Sequence, residues 1–318
     1  MQVVYGVDSK YLFPALISAF SVWKNAIQPI DITIFGEGLD EQSQDAIQCV
    51  SSVCGETIAY KTLETSIFDK YIHGRSSGTT YPAVGLLPLA LPKLVSGRCM
   101  FIDADTLVLG DVWEVLSMDL NGLHIGACTD MGMLGIMHDY VLAVRVSDIF
   151  HPTRSRTRRQ ARLTWIMSLG FFPDEKYFNA GVLVMDCDGI SSSAPNAAGN
   201  LADMDHLRPF FDHFRDQDRL NQFFAGRWFQ LPISWNVMPF GQTGWKKCAP
   251  NFVTKELLSQ INEALHRPKL LHFTEQKPWN RTKLKFRFNS RLNEAINVYN
   301  EYCLEFESLT GLQVPFRV

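Results

Sequence analysis

No Cys-x-x-Cys pair occurs anywhere in the 318 residues, and the seven cysteines are an odd number. Neither a structural zinc site nor a disulfide framework is therefore indicated, and a reduced, cytosolic chain is the expectation. No apolar run approaches the roughly 18 to 20 residues of a membrane span. No cationic stretch precedes an apolar one after Met1, so the start does not read as a secretory signal. Positive charge is not in excess: Lys plus Arg is 30 against 33 Asp plus Glu, a net charge of −3. That balance argues against a nucleic-acid binder, whose phosphate contacts need surplus cation. No internal repeat is evident.

What is present is core-forming material. Hydrophobic residues make up 46% and charged residues 20%, which excludes global disorder. The length suits about two domains, or one large α/β domain with additions. Gln2 to Val7 is a short β-branched apolar run and predicts a buried strand. Leu12, Leu16, Ile17, Phe20 and Trp23 then recur at helical spacing between Tyr11 and Ala26. Ile30 to Phe35, Leu39 to Val53 and Thr57 to Tyr60 continue as strand, helix and strand. This βαβαβ opening predicts a parallel sheet with its working loops at the carboxyl ends of the strands, where Asp8 falls. Pro82, Pro88 and Pro92 limit any helix between Tyr81 and Leu94 to a short or broken one. Further strands are expected at Arg98 to Ile102, Leu123 to Thr129 and Tyr177 to Asp186. A loop is expected at Gly189 to Asn200, a helix at Leu207 to Phe224, and a basic then helical tail from Trp279.

The sharpest local feature is Phe101-Ile-Asp-Ala-Asp105, an apolar strand that delivers two carboxylates to its end. Alternate side chains of an extended chain share a face, so Asp103 and Asp105 can converge. Two anions this close repel unless a cation lies between them. Oxygen ligands favour Mn²⁺ or Mg²⁺, and such an ion can carry a diphosphate on its open positions. A bare Asp-x-Asp is common, and one capping acid beside one solvated acid would read the same way.

Four further segments follow in order: Asp8-Ser-Lys-Tyr11, Tyr177-Phe-Asn-Ala-Gly181, Asp216-Gln-Asp218 and Leu271-His-Phe-Thr-Glu-Gln-Lys-Pro-Trp279. With the Asp-x-Asp, this set resembles glycosyltransferase family 8, over residues 1 to about 280. The resemblance implies an α/β fold of GT-A type, a Rossmann-like and mostly parallel central sheet flanked by helices. Residues 1–280 would form the transferase domain, and 281–318 a basic, helical extension packed on it. It implies a retaining, metal-dependent transfer of a hexose from a UDP-sugar to a glycan or other hydroxyl acceptor. Asp103, Asp105 and His272 match the family's Mn²⁺ (or Mg²⁺) ligands, with Ala104 between the two acids at the donor diphosphate. Lys277 matches a phosphate-pairing lysine. Gly6, Asp8 and Tyr11 match the uridine end, Tyr11 as a stacking ring and Asp8 as an acceptor of a base or ribose hydrogen bond. Asn179 and Gly181 match the strand beside the transferred sugar. Asp216 matches a ligand of the sugar hydroxyls and Gln217 the face of the anomeric carbon. Trp235-Asn236 also resembles a family pair and reads as packing. Two places depart from the family pattern: Glu275 stands where a glycine is usual, and Tyr81-Pro-Ala-Val-Gly85 lacks the usual Arg.

Taken singly, each residue has a plainer reading. His272 could be a satisfied histidine at a strand end, Tyr11 a core aromatic, and Lys277 a surface cation. The arginines at 154, 156, 158, 159 and 162, and the alternating basic segment 277–288, read best as solvated or packed stretches. The alternative for the arginines is an anionic acceptor, such as a phosphorylated glycan, or a membrane surface, and for the basic segment contact with anionic lipid. Two other functions stay open at this level. One is a catalytically silent UDP-sugar or glycan binder. The other, weaker, is a phosphatase of the haloacid dehalogenase type, which also carries Asp-x-Asp after a strand.

Overall fold

The computed structural model describes residues 1–68, 82–133, 177–193, 216–239, 254–274, 277–280 and 290–316. The chain opens β1 (Gln2–Asp8), α1 (Leu12–Asn25), β2 (Asp31–Glu37), α2 (Glu41–Val53) and β3 (Ile58–Thr62). A 3₁₀ turn at Ala83–Leu86 leads into α3 (Leu87–Leu94). Pro88 sits in the first turn of α3 and Pro92 inside it, and the helix is correspondingly short. Then come β4 (Arg98–Ile102), β5 (Thr106–Val108), α4 (Trp113–Leu116), β6 (Ile125–Thr129) and β7 (Phe178–Asp186). The described remainder is α5 (Cys187–Ser193), α6 (Asp216–Phe223), β8 (Phe229–Gln230), α7 (Lys255–His266), β9 (Leu270–His272) and α8 (Ser290–Thr310).

Seven strands form one sheet in the order β3-β2-β1-β4-β7-β6-β8. All run parallel except β7, which is antiparallel to both of its neighbours. The expected βαβαβ opening and mostly parallel sheet are thus present. Strand alternation divides the core between the two faces. Val3, Tyr5, Val7, Met100, Ile102, Val182 and Val184 belong to one core cluster with residues of α1 and α2. Val4, Cys99, Phe101, Leu183 and Met185 pack with α3. Both faces are covered, which is why these strands read as continuous apolar runs.

This topology builds one working edge. Parallel β1 and β4 end side by side, which brings Asp8 and Asp103 to the same rim. Because β7 runs the other way, its beginning, Asn179 to Gly181, lies at that rim too. A second, two-stranded antiparallel sheet pairs β5 with β9 and sets Thr106 opposite His272.

The expected loop at 189–200 is corrected over its first part: Gly189 to Ser193 belong to α5, and the rest lies outside the described residues. Of the helix expected at 207–224, the described part is helical from Asp216 to Phe223. The Arg-rich segment at 154–162, Tyr81, Glu275 and most of the basic tail lie outside the described residues. Helix α8 packs on α1 through Phe306, whose ring meets Phe20 edge-on at 5.8 Å. The Lys24–Glu305 ion pair and a hydrogen bond from Asn25 Nδ2 to the Tyr302 hydroxyl (2.8 Å) join the same two helices.

Candidate functional site

The turn that carries the two acids is tied down from three directions. Asp103 N–H donates to Gly181 O on β7 (2.8 Å), and Phe273 N–H, just past β9, donates to Asp105 O (2.8 Å). From beneath, the Thr106 hydroxyl donates to Asp103 O (2.8 Å). With that proton committed, the buried Ser18 hydroxyl 2.8 Å away must donate to Thr106 Oγ1, and Tyr5 OH must donate to Ser18 at 3.0 Å. Thr106 was not singled out from sequence, because its role depends on a partner 88 residues distant.

The β5–β9 pairing delivers His272 to the acids. Its Nε2 lies 3.5 Å from Asp103 Oδ2 and 3.3 Å from Asp105 Oδ1. One ligand atom from each of the three residues lies within 4.8 Å of the others. His272 is 2% exposed and Asp105 8%. Two carboxylates and an imidazole nitrogen aimed at one point suit a divalent cation. Gly181 leaves the space: a Cβ there would come well under 3.0 Å from both His272 Cε1 and Asp103 Oδ2. A glycine here leaves the converging ligands their room, and by this test the residues present fit such an ion.

A cleft of about 660 Å³ opens over this cluster. Every candidate from the sequence lines it: Gly6, Asp8, Tyr11, Asp103, Ala104, Asp105, Asn179, Gly181, Asp216, Gln217, His272 and Lys277. Lys10 and Thr274 line it as well. Lys277 is ion-paired with Asp105, and burial pulls its ammonium down to about 8, aided by Lys10 and opposed by the Asp103 charge. At the β1 end, Asp8 Oδ1 accepts from Tyr11 N–H (3.0 Å) and so fixes the first turn of α1. The ammonium groups of Lys10 and Lys277 lie 5.5 and 5.9 Å from the Tyr11 ring centre, and Trp279 meets that ring edge-on at 6.2 Å. Gly6 has a local reason as well, since a Cβ there would press on Val84 O and Leu87 at 3.0 Å.

On the other side lies a buried polar network. Gln217 Oε1 accepts from Ala180 N–H (3.0 Å) and Asn179 Nδ2 (3.1 Å). Its Nε2 donates to Asp130 Oδ2 (2.9 Å) and to Tyr177 OH (3.3 Å). Asn179 Nδ2 also donates to Asp130 (3.1 Å). Asp218, 1% exposed, accepts from Tyr177 OH at 2.6 Å and lies behind the cleft wall. Burial and the Asp103 charge push the Asp216 carboxyl well above the usual carboxylate range. Sequence reasoning passed over Asp130 and assigned Asn236 to packing. Asp130 nevertheless follows a predicted strand directly, the same signal that marked Asp8 and Asp103. Asn236 contacts both Asn179 (2.8 Å) and His272 Nδ1 (2.9 Å).

Comparison with known proteins matches residues 2–283 to the family model described as glycosyl transferase family 8. General stress protein A of Bacillus subtilis (strain 168) is 22% identical over 261 residues, 79% of this chain and 77% of that protein. Among solved structures, the bifunctional glycosyltransferase WbbM superposes with a TM-score of 0.70 at 21% identity. That match covers 95% of this chain but 49% of WbbM, so this chain spans about half its length. The galactosyltransferase LgtC, solved with donor and acceptor sugar analogs, superposes with a TM-score of 0.63 at 18% identity, covering 94% of this chain and 96% of its own. The fold is accordingly of the GT-A type.

Proposed function

The chain belongs to glycosyltransferase family 8, and on that premise we propose that it moves a hexose from a UDP-sugar to a glycan or other hydroxyl acceptor with retention at the anomeric carbon. The observation that carries this reading is the Asp103–Asp105–His272 cluster, cleared by Gly181 and set in the same cleft as Lys277. Asp103, Asp105 and His272 would hold Mn²⁺ or Mg²⁺. Such an ion neutralises charge gathering on a departing diphosphate, a Lewis-acid contribution. Lys277 adds a second cation at that end of the cleft. Gly6, Asp8 and Tyr11 take the nucleoside, with the uracil on the Tyr11 face. Asp216 and Asn179 take the sugar hydroxyls, and Gln217 faces the anomeric carbon.

Gln217 is a neutral amide whose four hydrogen-bonding positions are taken by Ala180, Asn179, Asp130 and Tyr177. Such a group orients; it does not attack. Asp218 is likewise held by Tyr177 OH and lies away from the cleft. These features favour front-face attack. The acceptor oxygen bonds to the anomeric carbon as the bond to UDP breaks, and a UDP phosphate oxygen takes the acceptor's proton. A glycosylated Asp216 peptide, trapped and found by mass spectrometry, would replace this route with a covalent one.

The test is a panel of UDP-hexoses with and without Mn²⁺, read as UDP release, with product configuration read by NMR. One donor should turn over only with metal, and the product should keep the donor's anomeric configuration. No turnover across the panel, with UDP still bound, would instead mark a silent binder. A cytoplasmic setting belongs to this proposal; no described helix is long and apolar enough to cross a membrane.

A further inference from the structure

Two backbone N–H groups determine how the buried amides of the cleft are oriented. Gly181 N–H donates to Asn179 at 3.0 Å, so the atom receiving it is the oxygen, Oδ1. The Asn236 atom 2.8 Å from that same oxygen must then be the NH₂ group. Asn236 therefore turns its own oxygen toward His272 Nδ1, 2.9 Å away. An acceptor there requires the imidazole proton on Nδ1, which leaves Nε2 facing Asp103 and Asp105. Ala180 N–H sets Gln217 in the same way, and the two assignments agree at Asn179, whose NH₂ donates to Gln217 Oε1. Asn236 is 3% exposed and His272 2%, so water does not compete for either group.

We propose that Asn236 is a positioning residue that holds His272 as the Nδ1–H tautomer, aims the Nε2 lone pair at the Asp103–Asp105 pair, and links this ligand to Asn179. The neutral ring with its proton on Nε2 would offer the cation no lone pair. The outer partner of a ligating histidine is usually a carboxylate, a backbone carbonyl or water, and its loss commonly costs 10- to 100-fold in metal affinity. Here the partner is an amide whose other end reaches the sugar side of the cleft. The orientation of the metal ligand and of Asn179 are thus parts of one arrangement. This inference rests on the cation reading above.

The experiment is Mn²⁺ titration calorimetry on the full chain, as wild type, H272A, N236L and N236D. It is paired with ¹⁵N chemical shifts of the His272 ring near pH 9, above the ordinary imidazole range. N236L should lose about 10- to 100-fold in Mn²⁺ affinity, with the ring proton moving to Nε2. N236D keeps an acceptor for Nδ1–H but sets an oxygen against Asn179 Oδ1, so it should keep the ring proton on Nδ1 while giving up the link to Asn179. Wild-type affinity in H272A would overturn the cation reading itself. A loss in H272A beside wild-type affinity in N236L would overturn the Asn236 assignment alone. So would a folded N236D whose ring proton sat on Nε2, which keeps the test decisive if N236L fails to fold.

Discussion

A methyl group at position 181 would sit where the ligand atoms converge. Gly181→Ala should lower Mn²⁺ affinity at least about tenfold by displacing His272 or Asp103. Unchanged calorimetric affinity would place the cation elsewhere. Asp216 provides a pH signature. Its carboxyl titrates above the ordinary value when folded, so the folded state holds its proton more tightly than the unfolded chain does. Stability therefore falls as pH rises above about 4 toward the raised value. In chelator, Asp216→Asn should lack that decline, and its advantage over wild type should grow with pH in denaturant titrations. A constant difference between the two would refute it. Tyr299 shows the reverse of a satisfied network. Its hydroxyl is buried with no hydrogen-bond partner among the described residues, so Tyr299→Phe should raise stability by about 1 kcal/mol. At this scale the acids, the histidine and the lysine were legible, because charged groups at strand ends stand out. Asn236 and Thr106 were not, since an amide and a hydroxyl acquire their roles only from partners brought together by folding.

Secondary elements were legible in proportion to their length and burial. β1, β4 and β7 are buried on both faces and read as apolar runs within a residue or two of their ends. β5, β8 and β9 have three, two and three residues, too few to show any period. Yet β5 and β9 together carry His272 to the acids. Helix α7 escaped the sequence reading although Leu257, Ile261 and Ala264 mark its buried face and the Thr254 hydroxyl caps Leu257 N–H. Its other positions are largely polar, which hid the stripe. The docking of α8 can be tested by cutting one contact. Phe306 is fully buried against Phe20, so Phe306→Ala should cost about 3–5 kcal/mol in denaturant unfolding. A cost under about 1 kcal/mol would mean that α8 is not held there in solution.

For the whole molecule, the sheet order does what no single element can. Strand ends from β1 and β4, the reversed start of β7, and β9, antiparallel to β5, all meet at one rim. The family match over residues 2–283 runs through every segment that lines the cleft. The central claim is that this convergence makes nucleotide binding depend on a divalent ion. Its most direct test is UDP affinity by calorimetry, with and without Mn²⁺, in wild type, Asp103→Ala and Asp105→Ala. Mn²⁺ should strengthen UDP binding in the wild type, and the gain should vanish in both variants. An equal gain in all three proteins would contradict the account.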